Sequence, residues 1–425
     1  MMVRIAGLAV ALMLACAPAQ AQRVLFGGKA NSGEIARAAQ GSEAARFGFD
    51  GPTPLPHARG VQGKEPFYFW LDLAPGNYRV TVTLGGPAAS RTTVKAELRR
   101  LMLSAVAVPA GGTRRLSFIV NVRTPTIAGG GTVRLKAPRE TTQEAAAWDP
   151  RLTLEFNGLR PAVRSVQVEP LRVPTIYLLG DSTVTDQSGE PYASWGQMLT
   201  AMFRPTIAIA NHGESGESVA ASNDRGRFAK IIGEIQPGDL FVVQFGHNDM
   251  KDKQRDPQAP AKYRDGLIAW ARAVQDKGAT AVIVTPMNRH RFVEGRVINT
   301  LEEYPQMARD AAQASGARLI DLNALSKTLY EAFGEQASLE LFKHEAGGTN
   351  RDATHHSPFG AWELARVIAA ELARVDVIAA RAVKPEFRRF DPSKPDRFAD
   401  FHVPPSPTLL TMRPLGDDAY KPVKN

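Results

Sequence analysis

The chain has a single cysteine, Cys16, in 425 residues, which excludes an intrachain disulfide and any site built from several thiolates. It has no His-Glu-x-x-His pair, and neither His212 nor His290 has an acidic partner at ligand spacing, so no catalytic metal is indicated. Gly-x-Ser-x-Gly, the nucleophile elbow of one large class of serine enzymes, is also missing. There is no extended Lys/Arg run and no nucleic-acid motif. The apolar stretch at the start is too short for a membrane span.

That stretch has its own signature. Met1 to Gln22 carries one early positive charge, Arg4, an apolar run from Ile5 to Ala15, and the small residues Ala19-Gln20-Ala21. This is the pattern of a cleaved secretory signal, with localisation in the periplasm or the medium. The alternative is a lipoprotein cleavage site at Leu14-Ala15-Cys16, with Met13 where leucine is usual. If Cys16 leaves with the signal, no thiol remains. The charge balance is 52 Lys+Arg against 43 Asp+Glu, and without Arg4 it is 51 − 43 = +8. A basic surface suits a polyanion such as an acidic polysaccharide, or simply keeps the protein soluble.

Residues 23–170 read as an all-β domain. Phe67 to Leu73, the turn Ala74-Pro75-Gly76-Asn77, and the alternating Tyr78 to Leu84 form strand, turn and strand. Further strands are expected at Thr92–Leu98, Leu101–Val108, Leu116–Val122, Thr132–Leu135, Leu152–Phe156 and Val163–Val168, which together suggest a sandwich. Gly129-Gly130-Gly131 lacks the following lysine of a phosphate loop and reads as a turn. No catalytic cluster is visible in this half.

After Pro170 the pattern becomes an alternation of apolar strands and helices, expected for a parallel sheet with helices on both faces over residues 171–382. Strands fall at Ile176–Leu179, Thr206–Ala210, Leu240–Phe245, Ala281–Thr285 and Arg318–Asp321. Helical spacing runs through Trp195–Met202, Ser222–Ile235, Ala261–Gln275, Leu301–Ala314, Leu325–Phe333 and Phe359–Val375. Residues 383–425, rich in Pro, Arg and Asp, read as an extension that packs over the surface or is partly disordered.

Four stretches stand at strand ends or before the last helix, where open α/β sheets bind ligands. Gly180-Asp181-Ser182-Thr183 places a serine there, though alone it is equally a helix cap. Asn211 to Ser218 contains Gly213 and Gly216, whose backbones can turn tightly and aim N–H groups at a ligand. Gly246-His247-Asn248-Asp249 follows the third strand. Asp352-Ala353-Thr354-His355-His356 puts a carboxylate three residues before a histidine, the pairing that can orient an imidazole toward a serine.

Together these stretches resemble the four blocks of the SGNH, or GDSL, hydrolases, and within them the rhamnogalacturonan acetylesterases, including the helix opening Ser357-Pro358-Phe359-Gly360-Ala361. The resemblance spans about residues 175–375. It implies a flavodoxin-like three-layer α/β/α hydrolase domain, preceded by a sandwich similar to the galactose-binding-like domains. It further implies Ser182 as nucleophile, His355 as general base and Asp352 as its orienting acid. The oxyanion hole would be the N–H groups of Ser182 and Gly216 with the amide of Asn248.

Candidate substrate contacts are Asp181, Thr183, His247 and Trp195; Trp195 and Trp362 could stack on a sugar or pack inside. Two positions depart from the family pattern or compete within it. Glu217 stands where many relatives carry arginine, and Gly213 competes with Gly216 as donor. The function implied is a secreted esterase that takes O-acetyl groups from plant cell-wall polysaccharide, pectic rhamnogalacturonan first, without cofactor, metal or nucleic acid. Xylan acetylesterase, broad carboxylesterase and a non-catalytic carbohydrate-binding protein are the alternatives.

Overall fold

The structure is a computed structural model and describes residues 21–26, 47–253, 256–344 and 351–407. Residues 1–20 of the expected signal segment and residues 408–425 of the C-terminal extension lie outside the described residues. The chain begins as eleven strands: β1 Gln22–Leu25, β2 Phe47–Asp50, β3 Leu55–His57, β4 Gly60–Gln62, β5 Phe67–Asp72, β6 Gly76–Leu84, β7 Ser90–Ala96, β8 Arg100–Val108, β9 Arg114–Val122, β10 Arg151–Leu159 and β11 Ala162–Pro170. They form two antiparallel sheets. One runs β3-β4-β11-β6-β9 with β1 beside β11, and the other β2-β5-β10-β7-β8. Alternation sends Val80, Val82, Phe67, Phe69, Leu152 and Leu154 into the space between them, where they are buried.

The expected strand at Thr132–Leu135 is absent. Thr132 makes one isolated bridge to Thr126, because this piece belongs to a long connector, residues 123–150, that leaves the sandwich between β9 and β10 and lies against the other half. The connector's contacts matter below.

From β12 Thr175–Gly180 onward the architecture changes. With β13 Ala208–Asn211, β14 Leu240–Gln244, β15 Thr280–Val284 and, after the ribbon β16 Phe292–Val293 and β17 Arg296–Val297, β18 Arg318–Ile320, it makes a parallel sheet ordered β13-β12-β14-β15-β18. The strands are apolar throughout because both faces are covered. Ile176, Leu178 and Val242 point to one side, against α1 Trp195–Leu199, α7 Leu322–Ala337 and α8 Pro358–Val375. Tyr177, Leu179 and Phe241 point to the other, against α3 Arg227–Glu234, α5 Ala259–Asp276 and α6 Tyr304–Ser315. This is the three-layer fold expected.

The helix expected over Ser222–Ile235 is two, α2 Val219–Asp224 and α3, divided where Gly226 takes the left-handed conformation at φ 79°. Asp352 and His355, expected in a loop, lie in a short strand, β20 Arg351–His356, paired with β19 Phe342–His344. The short α4 Asp249–Asp252 follows β14, and α9 Val377–Ala382 follows α8.

The described part of the C-terminal extension is packed and tied down. Lys95 Nζ donates to the Pro404 carbonyl at 2.8 Å and to Ser406 Oγ at 2.6 Å, and Ser406 Oγ donates to Glu155 at 2.7 Å. The sandwich face is thus joined to the end of the hydrolase half.

Candidate active site

Ser182 sits in the turn that ends β12, and the turn is tied from inside. Asp181 is fully buried, and its Oδ1 accepts from the Thr183 N–H at 2.9 Å and the Thr183 hydroxyl at 2.7 Å. Its carbonyl accepts from the N–H groups of Val184 and Thr185 at 3.0 and 3.1 Å. Gly180 has to be glycine: a Cβ there would stand 2.4 Å from a Val184 methyl and 2.6 Å from the Gln244 carbonyl oxygen.

The second loop is stitched to the first. The Glu214 N–H donates to the Gly180 carbonyl at 2.9 Å, and Thr185 Oγ1 to the Gly213 carbonyl at 2.8 Å. Asn211 adds a bond from Nδ2 to the Val184 carbonyl at 2.7 Å. These contacts distinguish the two glycines. The N–H of Gly213 is already given to Asn211 Oδ1 at 3.1 Å, and the residue is buried. Gly216 is exposed at φ 75°, and neither its N–H nor that of Ser182 has a protein acceptor among the described residues.

Asn248, half-buried, comes from the loop after β14. Its Nδ2 donates one hydrogen to the Glu217 carbonyl at 3.1 Å and its Oδ1 accepts from Lys251 at 3.0 Å, so the amide is fixed and its second N–H remains. Asp249 holds the loop by accepting from the Val219 and Gly246 N–H groups at 2.8 and 3.0 Å.

The structure brings the distant carboxylate and imidazole to the serine. His355 Nε2 is 2.8 Å from Ser182 Oγ, and His355 Nδ1 is 2.7 Å from Asp352 Oδ2. Asp352 also accepts from the Thr354 and His355 N–H groups at 2.8 and 2.9 Å. Burial works against its charge, but the His355 hydrogen bond and the two backbone donors outweigh burial and hold its pKa well below the ordinary carboxylate range. An ionised carboxylate only accepts, so Nδ1 carries the hydrogen and Nε2 presents a lone pair to the serine hydroxyl. That is the tautomer a general base needs.

His356 is elsewhere: buried, bonded to the Tyr330 hydroxyl at 2.8 Å, with burial lowering its pKa to about 3. The ring of Tyr192 stands edge-on to His355 at 5.7 Å.

The candidate substrate contacts need correction. Asp181, Thr183, His247 and Trp195 are all at least 98 % buried, so none offers a surface to a sugar. They support the loops instead. Trp195 Nε1 donates to Gln244 Oε1 at 3.0 Å, and Gln244 Nε2 to Thr183 Oγ1 at 2.6 Å. His247 reaches the Met287 carbonyl at 3.1 Å and stands 3.4 Å from Asp181. Trp362 packs against Phe387 and Phe401. His212 lies buried between Trp148 and Tyr177, and His290 bonds the Glu335 carbonyl and Ser338.

Three buried carboxylates, Glu140, Glu144 and Glu214, approach one another at metal-ligand distances. Arg227 is paired with Glu140, and Arg139 with Glu144 and Glu214, so two cations of the chain already offset most of the charge of the group.

Sequence reasoning missed several neighbours of the site. Gln187 Nε2 donates to the Ser182 carbonyl at 2.6 Å. Lys136 and Arg139, from the connector, reach the loop of Gly216. Gln187 sits five residues past the serine, close enough to have been considered. Nothing local marks Lys136 or Arg139, which arrive only through packing of the first half on the second.

The model of the GDSL-like Lipase/Acylhydrolase family matches residues 178–361, a span that contains Ser182, Gly216, Asn248, Asp352 and His355. Rhamnogalacturonan acetylesterase RhgT of Bacillus subtilis (strain 168) is 36% identical over 204 residues, which cover 46% of this chain and 87% of the relative. Probable rhamnogalacturonan acetylesterase YesY of the same strain is 31% identical over 202 residues, covering 46% of this chain and 90% of the relative. Among solved structures, protein YXIM of Bacillus subtilis aligns over 84% of this chain and 98% of its own, at 24% identity and a TM-score of 0.47. The chain belongs to the GDSL-like Lipase/Acylhydrolase family and is a carboxylic ester hydrolase.

Proposed function

We propose that the protein is a serine carbohydrate esterase that removes O-acetyl groups from pectic rhamnogalacturonan. The observation that carries the reading is the line Asp352–His355–Ser182, with contacts of 2.7 and 2.8 Å. His355 takes the Ser182 proton as Oγ attacks the acetyl carbonyl. The oxyanion that forms is met by the Ser182 and Gly216 N–H groups and the free N–H of Asn248. Collapse expels the sugar alkoxide, which takes the proton back from His355, and leaves an acetyl-enzyme. Water, deprotonated by His355, then releases acetate. Donors fixed before the reaction need no reorganisation when charge develops, and each contributes a factor of about 10²–10³ to turnover.

The choice of substrate draws on the two Bacillus relatives named for rhamnogalacturonan. It also draws on the net charge of +9, which suits a galacturonate-bearing chain. The N-terminal pattern of a cleaved secretory signal supports action outside the cytoplasm. The test is acetate release from acetylated rhamnogalacturonan and acetylated xylan, by wild type and Ser182→Ala. Release confined to rhamnogalacturonan and lost in the variant is expected. Release from xylan alone would overturn the substrate, and undiminished release by Ser182→Ala would overturn the mechanism.

A further inference from the structure

The connector 123–150 brings two cations to the loop of Gly216. Lys136 Nζ donates to the Ser215 carbonyl at 2.7 Å, and Arg139 Nη2 donates to the same oxygen at 2.9 Å. Lys136 Nζ also pairs with the buried carboxylate of Glu217 at 2.5 Å, which Arg225 Nε approaches at 3.2 Å. Arg139 pairs in addition with Glu214. Lys136 therefore touches the chain on both sides of Gly216.

The geometry points to Lys136, with Arg139 beside it, as a positioning residue for the oxyanion donors, supplied to the esterase half by the sandwich half. This rests on the proposed serine-esterase mechanism. The Ser215 carbonyl and the Gly216 N–H belong to one planar trans peptide, so they point in opposite directions. Fixing the oxygen with two cationic donors fixes the direction of the N–H. It also polarises the peptide, strengthening the N–H as a donor.

The second donor is set through the same lysine. The carbonyl of Glu217 accepts from Asn248 Nδ2, and the Glu217 side chain is held by Lys136. This chain buries the carboxylate of Glu217. Its cation comes partly from a connector outside the residues that the family model matches.

The test compares wild type, Lys136→Met, Lys136→Arg and Ser182→Ala on a small acetyl ester and its thionoacetyl counterpart, with rates per titratable Ser182 where it is present and per folded protein for Ser182→Ala. Sulfur is a poor hydrogen-bond acceptor, so the oxygen-to-sulfur rate ratio reports the oxyanion donors and not general integrity. Lys136→Met is expected to lower kcat for the acetyl ester by on the order of 10- to 100-fold, with KM little changed and the ratio reduced. Lys136→Arg should recover most of both. The double variant Lys136→Met/Glu217→Gln, which leaves no unpaired buried carboxylate, should behave like Lys136→Met and stands in for it if the single variant does not fold.

An unchanged kcat, or a loss of kcat with an unchanged ratio, overturns the inference. Full activity in Ser182→Ala instead overturns the mechanism on which it rests.

Discussion

At the scale of the residue, the site divides into groups that face the substrate and groups that hold them. Asn248 belongs to the first kind, because its amide has one hydrogen committed to the Glu217 carbonyl and one left over. Replacing it by alanine removes a donor that acts only as charge develops on the carbonyl oxygen. Asn248→Ala is therefore expected to lower kcat by a factor of about 10²–10³, with KM nearly unchanged. Steady-state kinetics on a small acetyl ester checks this, and an undiminished kcat would remove Asn248 from the mechanism. Glu144 belongs to the second kind and is a titratable part of the support. Burial raises its pKa to about 7 against the opposing attraction of Arg139, 3.4 Å away. Burial wins because Arg139 is partly exposed and is shared with Glu214 and the Ser215 carbonyl. The folded pKa lies above the unfolded one of about 4.3, so between these values the folded state holds more protons. This group's contribution to stability thus falls as pH rises through that window. Thermal midpoints measured from pH 4.5 to 7 should decline less steeply in Glu144→Gln than in the wild type.

At the scale of the element, β12 and the turn after it govern the position of the serine. Gly180 is closed in by Val184 and by the carbonyl of Gln244 on β14. Gly180→Ala must push the turn away from the sheet, at a cost of roughly 1–3 kcal/mol, and should displace Ser182 from His355. A lowered thermal midpoint together with a lowered kcat is expected; a change in neither would show that the turn adapts freely. The strands and helices of this half were legible in the sequence because their apolar runs are continuous and separated by clear turn chemistry. Three of the four stretches could be read because each sits at the end of a parallel strand, and the fourth because it stands just before α8. Thr132–Leu135 misled because its alternation buries Val133 and Leu135 in a small cluster with Leu98, Ile127, Ala147 and Trp148 and not in a paired sheet. The break at Gly226 was hidden by the amphipathic pattern on either side of it. The ribbon of β19 and β20 is too short to show a period. Asp181 and Thr183 adjoin the serine in sequence and His247 adjoins Asn248, but their side chains and that of Trp195 turn inward, and position in sequence carries no information on that.

At the scale of the whole molecule, the two halves share their polar chemistry. Arg100 on β8 bonds Asp186 at 2.6 Å in a buried pair, and Asn211 closes the same carboxylate at 3.0 Å. With the Lys136 and Arg139 contacts, the sandwich half is joined to the loops that follow β12 and β13. The first half shows no catalytic cluster, yet single cations of its connector reach the loop of Gly216 by way of the tertiary fold. The overall charge belongs to this scale as well. If a net charge of +9 helps capture a galacturonate-bearing polymer, kcat/KM on acetylated rhamnogalacturonan should fall as salt rises, because the Debye length shortens from about 10 Å at 0.1 M to about 3 Å at 1 M. The rate on a neutral acetyl ester should hardly move. Equal salt dependence for both substrates would remove electrostatic capture from the account.

The central claim is that Ser182 carries the acetyl group between the ester and water. Peptide mass mapping of enzyme quenched in acid during turnover of an acetyl ester tests it most directly. The account predicts an acetyl adduct on Ser182 in the wild type and none in Ser182→Ala, which should also lack turnover. An acetyl group on another residue, or undiminished turnover by the variant, would contradict it.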